Sequence, residues 1–182
     1  SYLSVTYTLT DDNEIKIDYS GTSNKNTIIN MTNHTYFNLK GHGNGDILDH
    51  ELWLNAKTFT MPDDGGIPTG EIASVEGTPL DFTKMKPIRR DNDITNPIMA
   101  LVNGYDHNYC IDDWTGKIKK VAEVKEPESL VVMEVYSDLP GIQFYSGNYV
   151  KDTAGKDGKV YQKNYGLCLE TQYYPDHINH KE

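Results

Sequence analysis

Little in this sequence points to redox, metal or polyanion chemistry. Cysteine occurs twice in 182 residues, at Cys110 and Cys168. Each lies inside a strand-like segment beside an apolar residue, so two buried free thiols are expected; a disulfide would need an oxidising compartment. No CxxC pair and no matching histidine spacing accompanies them, which excludes a zinc site of the common structural kind. His177 and His180 form HxxH near the chain end, a poor match to zinc ligand preferences. Arginine is also scarce, present only as the adjacent pair Arg89 and Arg90. Lys and Arg total 17 against 27 Asp and Glu, a formal charge of −10. That balance argues against phosphate backbones and anionic lipid surfaces, so neither nucleic acid nor membrane is an expected partner. No apolar run reaches the ~20 residues of a membrane helix. No signal peptide is visible, and a cytoplasmic protein is expected. The chain opens within a strand-like alternation, so its native N-terminus is expected to lie upstream.

What is present is short alternation with turn chemistry between. Leu3, Val5, Tyr7 and Leu9 alternate with Ser4, Thr6 and Thr8; Asp11, Asp12 and Asn13 make a turn cluster; Ile15, Ile17 and Tyr19 alternate again. This reads as a β-hairpin. A polar loop is expected over residues 21–26, and loops over 40–45, 63–70 and 153–159. Pro79 and Pro87 make helix unlikely around them. Strands are expected at 51–56, 105–111, 130–136, 142–149 and 167–173, while 117–127 is charged and ambiguous. There is no repeat, no low-complexity run and no long amphipathic helix. Many short strands at irregular spacing argue an all-β fold, an antiparallel β-sandwich. At this length one domain is expected, burying ~70% of its unfolded surface.

Residues 30–39 are the stretch with most to say. At period two, Ile29, Met31, Asn33, Thr35, Phe37 and Leu39 fall on one side. Asn30, Thr32, His34, Tyr36 and Asn38 fall on the other, a row of hydrogen-bonding groups with an imidazole at its centre. The pattern predicts a strand with one core face and one polar face, able to floor a cleft. In residues 167–173, Leu167 and Leu169 point one way and Cys168, Glu170 and Gln172 the other, so Glu170 lies on a polar face. Taken alone, His34 reads as a structural histidine and Glu170 as a solvated carboxylate. Alternation puts Asp106 and His107 on opposite faces of their strand, so they are not a simple dyad.

The run Asn33-His34-Thr35-Tyr36-Phe37-Asn38-Leu39 closely resembles the central motif of the galactose mutarotases, or aldose 1-epimerases. Residues 46–82, Gly104-Tyr105-Asp106-His107-Asn108 and Leu169-Glu170-Thr171-Gln172 fit the same family in the same order. The resemblance implies a large antiparallel β-sandwich, the mutarotase-like supersandwich, incomplete in this chain. It implies interconversion of the α and β anomers of hexoses such as galactose and glucose. That reaction takes a proton from the C1 hydroxyl and gives one to the ring oxygen; the ring opens, the C1–C2 bond rotates, and the ring closes. One base and one acid near neutral pH suffice, with no metal and no cofactor. Histidine starts at ~6.5. By resemblance His34 is the general acid to the ring oxygen and Glu170 the general base to the C1 hydroxyl. Asp106 accepts hydrogen bonds from sugar hydroxyls, and Gln143 contacts the sugar; a neutral amide offers both donor and acceptor. His107 matches a family position without assigned chemistry and reads as structural. Tyr36, Trp53 and Tyr105 are candidates for an apolar wall against a pyranose, though aromatics in strands are more often core.

The resemblance implies an N-terminal part, carrying an arginine and a second histidine, that has no match before His34, and a final strand beyond residue 182. Residues 1–182 are therefore expected to form a single partial aldose 1-epimerase domain. The expected partner is a small aldohexose, with the missing N-terminal portion as a possible separate piece. Two other readings remain open. A non-catalytic carbohydrate-binding module would not need both His34 and Glu170. A hexose-phosphate mutarotase would need arginines at the cleft.

Overall fold

The computed structural model describes residues 1–180, which cluster into two compact units divided between Met31 and Thr32. The first unit is the expected hairpin. β1 (Tyr2–Leu9) pairs antiparallel with β2 (Ile15–Thr22) in unbroken register from Leu9↔Ile15 to Tyr2↔Thr22. Its turn is built by Thr10, whose Oγ1 accepts the Asp12 and Glu14 backbone N–H groups. Asn13 takes a left-handed φ of 61°, which asparagine tolerates better than most residues. Because β2 runs on to Thr22, the polar loop starts two residues later than residue 21.

The second unit is a sandwich of antiparallel sheets. Its strands are β3 (Glu51–Leu54), β4 (Thr58–Pro62), β5 (Pro68–Ser74), β6 (Lys86–Pro87), β7 (Asp106–Cys110), β8 (Lys119–Lys125), β9 (Val132–Ser137), β10 (Gly141–Tyr145), β11 (Thr153–Ala154), β12 (Val160–Tyr161) and β13 (Cys168–Gln172). A five-stranded sheet has the order β13-β10-β7-β4-β5, a four-stranded one the order β6-β3-β8-β9, and β11-β12 is a small ribbon. Phe59, Tyr109, Ile142, Phe144 and Leu169 leave one face of the larger sheet. Leu52, Leu54, Ala122 and Val124 come from the smaller one, and all are buried in one core cluster. Phe144 centres an aromatic group, 5.0 Å from Tyr105 and 5.5 Å from Phe82. Burying side chains of this size contributes roughly 1.5–3 kcal/mol each.

Helix is confined to short pieces. α1 (Pro97–Leu101) starts at Asn96, whose side chain accepts the Ile98 N–H, and has Pro97 in its first turn. It stops where Asn103 and Gly104 take φ of 57° and 137°, and Gly104 N–H bonds Met99 O at 2.9 Å. Among the described residues no helix is long and apolar enough to cross a membrane.

The expected strand over residues 30–39 is corrected. Only Phe37 makes a β-bridge, to Leu167, through two backbone hydrogen bonds of 2.8 and 2.9 Å. Side chains from both sides of the expected strand, and His50 from outside it, take up its backbone groups instead. Asn33 Oδ1 accepts the Thr35 N–H; Asn38 accepts the Lys40 N–H and donates to Gly45 O and Tyr165 O; His50 Nε2 accepts the Leu39 N–H. Such side-chain bonds compete with a ladder. The expected loop at 63–70 is also shorter, since β5 begins at Pro68. The ambiguous 117–127 contains β8, and residues 153–159 contain β11.

Candidate active site

The larger sheet has a second face, opposite the core, and strand register decides what stands on it. Cross-strand partners point the same way. Cys168 pairs with Tyr145, which pairs with Asp106; Glu170 pairs with Gln143, which pairs with Asn108. These two rows form a polar floor from β13, β10 and β7. The intervening residues, His107, Tyr109, Ile142, Phe144 and Leu169, go to the core.

The floor is tied together by side chains. Gln143 Nε2 donates to Asp106 Oδ1 at 2.8 Å; Gln172 Nε2 donates to Asn108 Oδ1 at 3.1 Å and to Gln143 Oε1 at 3.3 Å; Asn108 Nδ2 donates to Thr60 Oγ1 at 3.4 Å. Each amide is thereby fixed in orientation, with Asp106 at one end and Glu170 beside Gln143. The near ends of β7 and β10 are pinned by Asn148, which donates to Tyr105 O at 2.8 Å and accepts from Ser146 Oγ at 2.7 Å. Gly104 lies against that amide, and a Cβ there would come 2.5 Å from Asn148 Oδ1.

His34 comes to this floor from the irregular segment before the Phe37 bridge. Its Nε2 lies 3.4 Å from Glu170 Oε1 and its Nδ1 3.4 Å from Cys168 Sγ. Tyr36 stacks on the ring, centroids 5.1 Å apart and planes 28° from parallel, and Tyr145 meets it edge-on at 6.2 Å. The histidine side chain is half exposed while the Glu170 side chain is 10% exposed, so the pair has one wet and one dry member. Burial raises the Glu170 carboxyl above the usual carboxylate range; a charged His34 opposes this and the Asp106 charge adds to it. Burial likewise raises Asp106, against the Gln143 hydrogen bond and His34. The Tyr36 phenol is pushed up to about 12, by burial first and then by Cys168, Tyr145, Glu170 and Asp106 around it.

Of the residues singled out in the sequence, His34, Glu170, Asp106 and Gln143 are thus brought to one face, although the strand that was to present His34 does not form. His107 is in the core, edge-on to Phe59 at 5.8 Å, and burial pushes its imidazole down to about 4. Among the three aromatic candidates only Tyr36 is at the site. Tyr105 is fully buried, and Trp53 is on β3 in the other sheet under Lys120. Arg89 is held by Asp49 and Asp46, and Arg90 lies 4.0 Å from Asp91. Both cysteines are buried and free. Sequence reasoning did not assign Cys168, Tyr145, Asn108 or Gln172, yet parity within each strand placed Cys168 and Gln172 beside Glu170. Beyond Tyr36 and Tyr145 runs a groove of about 880 Å³, lined also by Tyr149, Tyr161 and Tyr165.

Among the described residues one group has donor types that suit a metal: His34, Cys168 and Glu170, with ligating atoms within 4.8 Å of one another. As arranged, His34 contacts each of the other two, and burial keeps the thiol protonated by raising it well above its usual value. An acid–base pair on a fixed floor of hydroxyl-matching amides is the chemistry these residues offer directly.

A family model described as aldose 1-epimerase matches residues 2–182. The mouse (Mus musculus) galactose mutarotase is 43% identical over 176 residues, covering 96% of this chain and 49% of the mouse protein. The aldose 1-epimerase of Escherichia coli K12 is 38% identical over 178 residues, covering 98% of this chain and 51% of that protein. Among solved structures, a galactose 1-epimerase from Lactobacillus acidophilus superposes with a TM-score of 0.81 at 28% identity, over 95% of this chain and 48% of that one. An aldose epimerase homologue from C. elegans gives 0.81 at 27%, over 95% and 52%. The chain spans about half the length of the curated relatives it matches.

Proposed function

The chain belongs to the aldose 1-epimerase family, and we propose that its 182 residues are the acid–base half of a mutarotase, a single partial domain acting on a free aldohexose. Glu170 takes the proton of the C1 hydroxyl while His34 gives one to the ring oxygen. The C1–ring oxygen bond breaks and the electron pair of the C1 oxygen makes the aldehyde. After rotation about C1–C2 the same two groups return the protons in the opposite sense, and the other anomer leaves. Both reacting oxygens are bonded to one carbon, so the acid and the base must also be close neighbours. The 3.4 Å approach of His34 Nε2 to Glu170 Oε1 is the observation that carries this reading.

From the sequence the two groups are expected to face one cleft, far apart in the chain but close enough to hold one pyranose between them. A pair in contact suits the hemiacetal, because the sugar presents one edge to it and lies over the floor. Asp106 and Gln143 then meet the remaining hydroxyls, Asp106 accepting and the amide doing both. The raised Glu170 carboxyl moves the base toward the pH at which reversible transfer is fastest. Neither arginine supports a phosphate-binding site, since both face carboxylates.

The test is polarimetry. With the protein supplied with the portion that its longer relatives carry, fresh α-galactose and α-glucose should lose optical rotation faster than in buffer, and a Glu170→Gln, His34→Asn double variant should not accelerate the decay. Sugar binding with no acceleration would leave a carbohydrate-binding module and end the enzymatic reading.

A further inference from the structure

The mutarotase reading uses His34 at Nε2 and leaves Nδ1 without a role. That nitrogen faces a thiol that is fully buried and comes from the same strand as the base. Cys168 and Glu170 are two residues apart on β13, so their side chains leave one face from Cα atoms about 7 Å apart, and Sγ and a carboxylate oxygen come within 4.8 Å. The imidazole lies across that interval, one nitrogen to each. Tyr36 covers one ring face and Tyr145 closes an edge.

We propose that Cys168 is a positioning residue: its thiol holds the His34 ring by Nδ1 so that Nε2 is turned to Glu170, in every protonation state of the cycle. A thiol is both a weak donor and a weak acceptor. Against a charged imidazole, Nδ1–H donates to Sγ. After Nε2 has given its proton to the sugar ring oxygen, Nδ1 keeps its own proton and Sγ still accepts it, leaving the Nε2 lone pair free to take the proton back. In the neutral ring before a cycle the S–H turns and donates to Nδ1, so the ring proton sits on Nε2, facing the carboxylate; Nδ1 then takes a proton from solvent, which reaches the half-exposed ring, and the thiol turns back to accept it before the ring acts as the acid. Rotation about one Cβ–Sγ bond covers all three. A carboxylate in this place would hold the ring in its charged form, and a backbone carbonyl would accept only from Nδ1–H. Burial supports the role: the thiol keeps its proton because burial, with the Glu170 and Asp106 charges, disfavours the thiolate.

This rests on the mutarotase reading for its catalytic consequence, but not for the ring geometry, and the experiment separates the two. In the 182-residue chain, long-range nitrogen–proton NMR reports which nitrogen of His34 carries the proton. The expected result is a neutral ring protonated at Nε2, with the Nδ1 resonance displaced in Cys168→Ala and largely restored in Cys168→Ser. In polarimetric kinetics Cys168→Ala should lower kcat about 10- to 100-fold, the range that small misplacements of reacting groups give, with little change in KM. Cys168→Ser should recover most of the loss. A neutral ring protonated at Nδ1 in the unaltered protein overturns the proposal whether or not any variant folds. So does Cys168→Ala with unchanged kcat and unchanged nitrogen resonances. If no form accelerates mutarotation while the resonances follow the expected pattern, the functional reading fails and the positioning role of the thiol stands.

Discussion

Replacing Glu170 with glutamine should trade activity for stability, and the direction of both changes is set by the same buried charge. The amide keeps the shape and the place beside Gln143 and His34 but takes no proton from a sugar. Loss of a general base costs about 10²–10⁴ in kcat, equal to about 2.7–5.5 kcal/mol at 1.36 kcal/mol per decade. The stability change follows from burial. Glu170 is 8% exposed and sits near a second raised carboxyl, Asp106. A carboxyl whose folded pKa lies above its unfolded value binds its proton more tightly when folded. Its contribution is fully present below the unfolded pKa and is lost as pH rises through the folded one. Glu170→Gln removes that loss. The variant should therefore melt above the unaltered protein at neutral to alkaline pH, with a gap that narrows on acidification as Glu170 takes up its proton. In the unaltered protein kcat/KM should fall on acidification through a pKa above the ordinary ~4.3 of a glutamate, and the residual rate of Glu170→Gln should lack that limb. Scanning calorimetry at several pH values and polarimetric progress curves measure both. A variant that melts lower at pH 8, or keeps near-normal turnover, would show that Glu170 is neither a strained buried charge nor the base.

Asp106→Asn replaces a charge-assisted hydrogen bond with a neutral one, so KM for galactose should rise about 10-fold or more while kcat changes less; an unchanged KM would remove Asp106 from the sugar site. Gly147 has a φ of 69°, and a Cβ there would meet Gly166 O at 2.6 Å; Gly147→Ala should destabilise by at least about 1–3 kcal/mol in urea unfolding, and a neutral result would mean this turn relaxes freely. The partial-domain proposal predicts that the 182 residues alone associate in sedimentation and turn over slowly, and that supplying the portion the longer relatives carry restores both; a stable monomer with full activity would refute it.

How much of this was legible in the sequence depended on whether alternation survived locally. β7 and β13 keep parity and could be placed, faces included; β1 and β2 could be placed as a hairpin, although Leu3, Val5, Tyr7 and Leu9 on its apolar side are exposed. β8 could not, because a register shift between Lys120 and Ala122 leaves Val121 and Ala122 both buried, and the outward Lys119, Lys120, Glu123 and Lys125 then mask its pattern. β5 looked like loop because it begins at Pro68 and contains Gly70 at φ 90°; it lies at the sheet edge, where a proline and a left-handed glycine are tolerated. The motif around His34 was recognised but given the wrong backbone: Asn38 was counted with the polar floor and Asn33 with the core side, whereas both fix an irregular chain.

That error bears on what the site residues can be. A histidine on a strand would have its direction set by the ladder, as Glu170, Gln143 and Asp106 have theirs. His34 leaves an irregular segment, so its direction depends on what its ring touches: Tyr36 on one face, Tyr145 at an edge, Glu170 and Cys168 at the two nitrogens. Parity predicts which residues share a face of β13 but not which residue from a distant segment will be laid across it. The base is therefore positioned by the sheet, whereas the acid is positioned by side chains. Substitutions of Tyr36 should disturb catalysis at little cost in stability, and those of core-facing residues of the β7, β10 and β13 ladder, such as Phe144, should disturb both together.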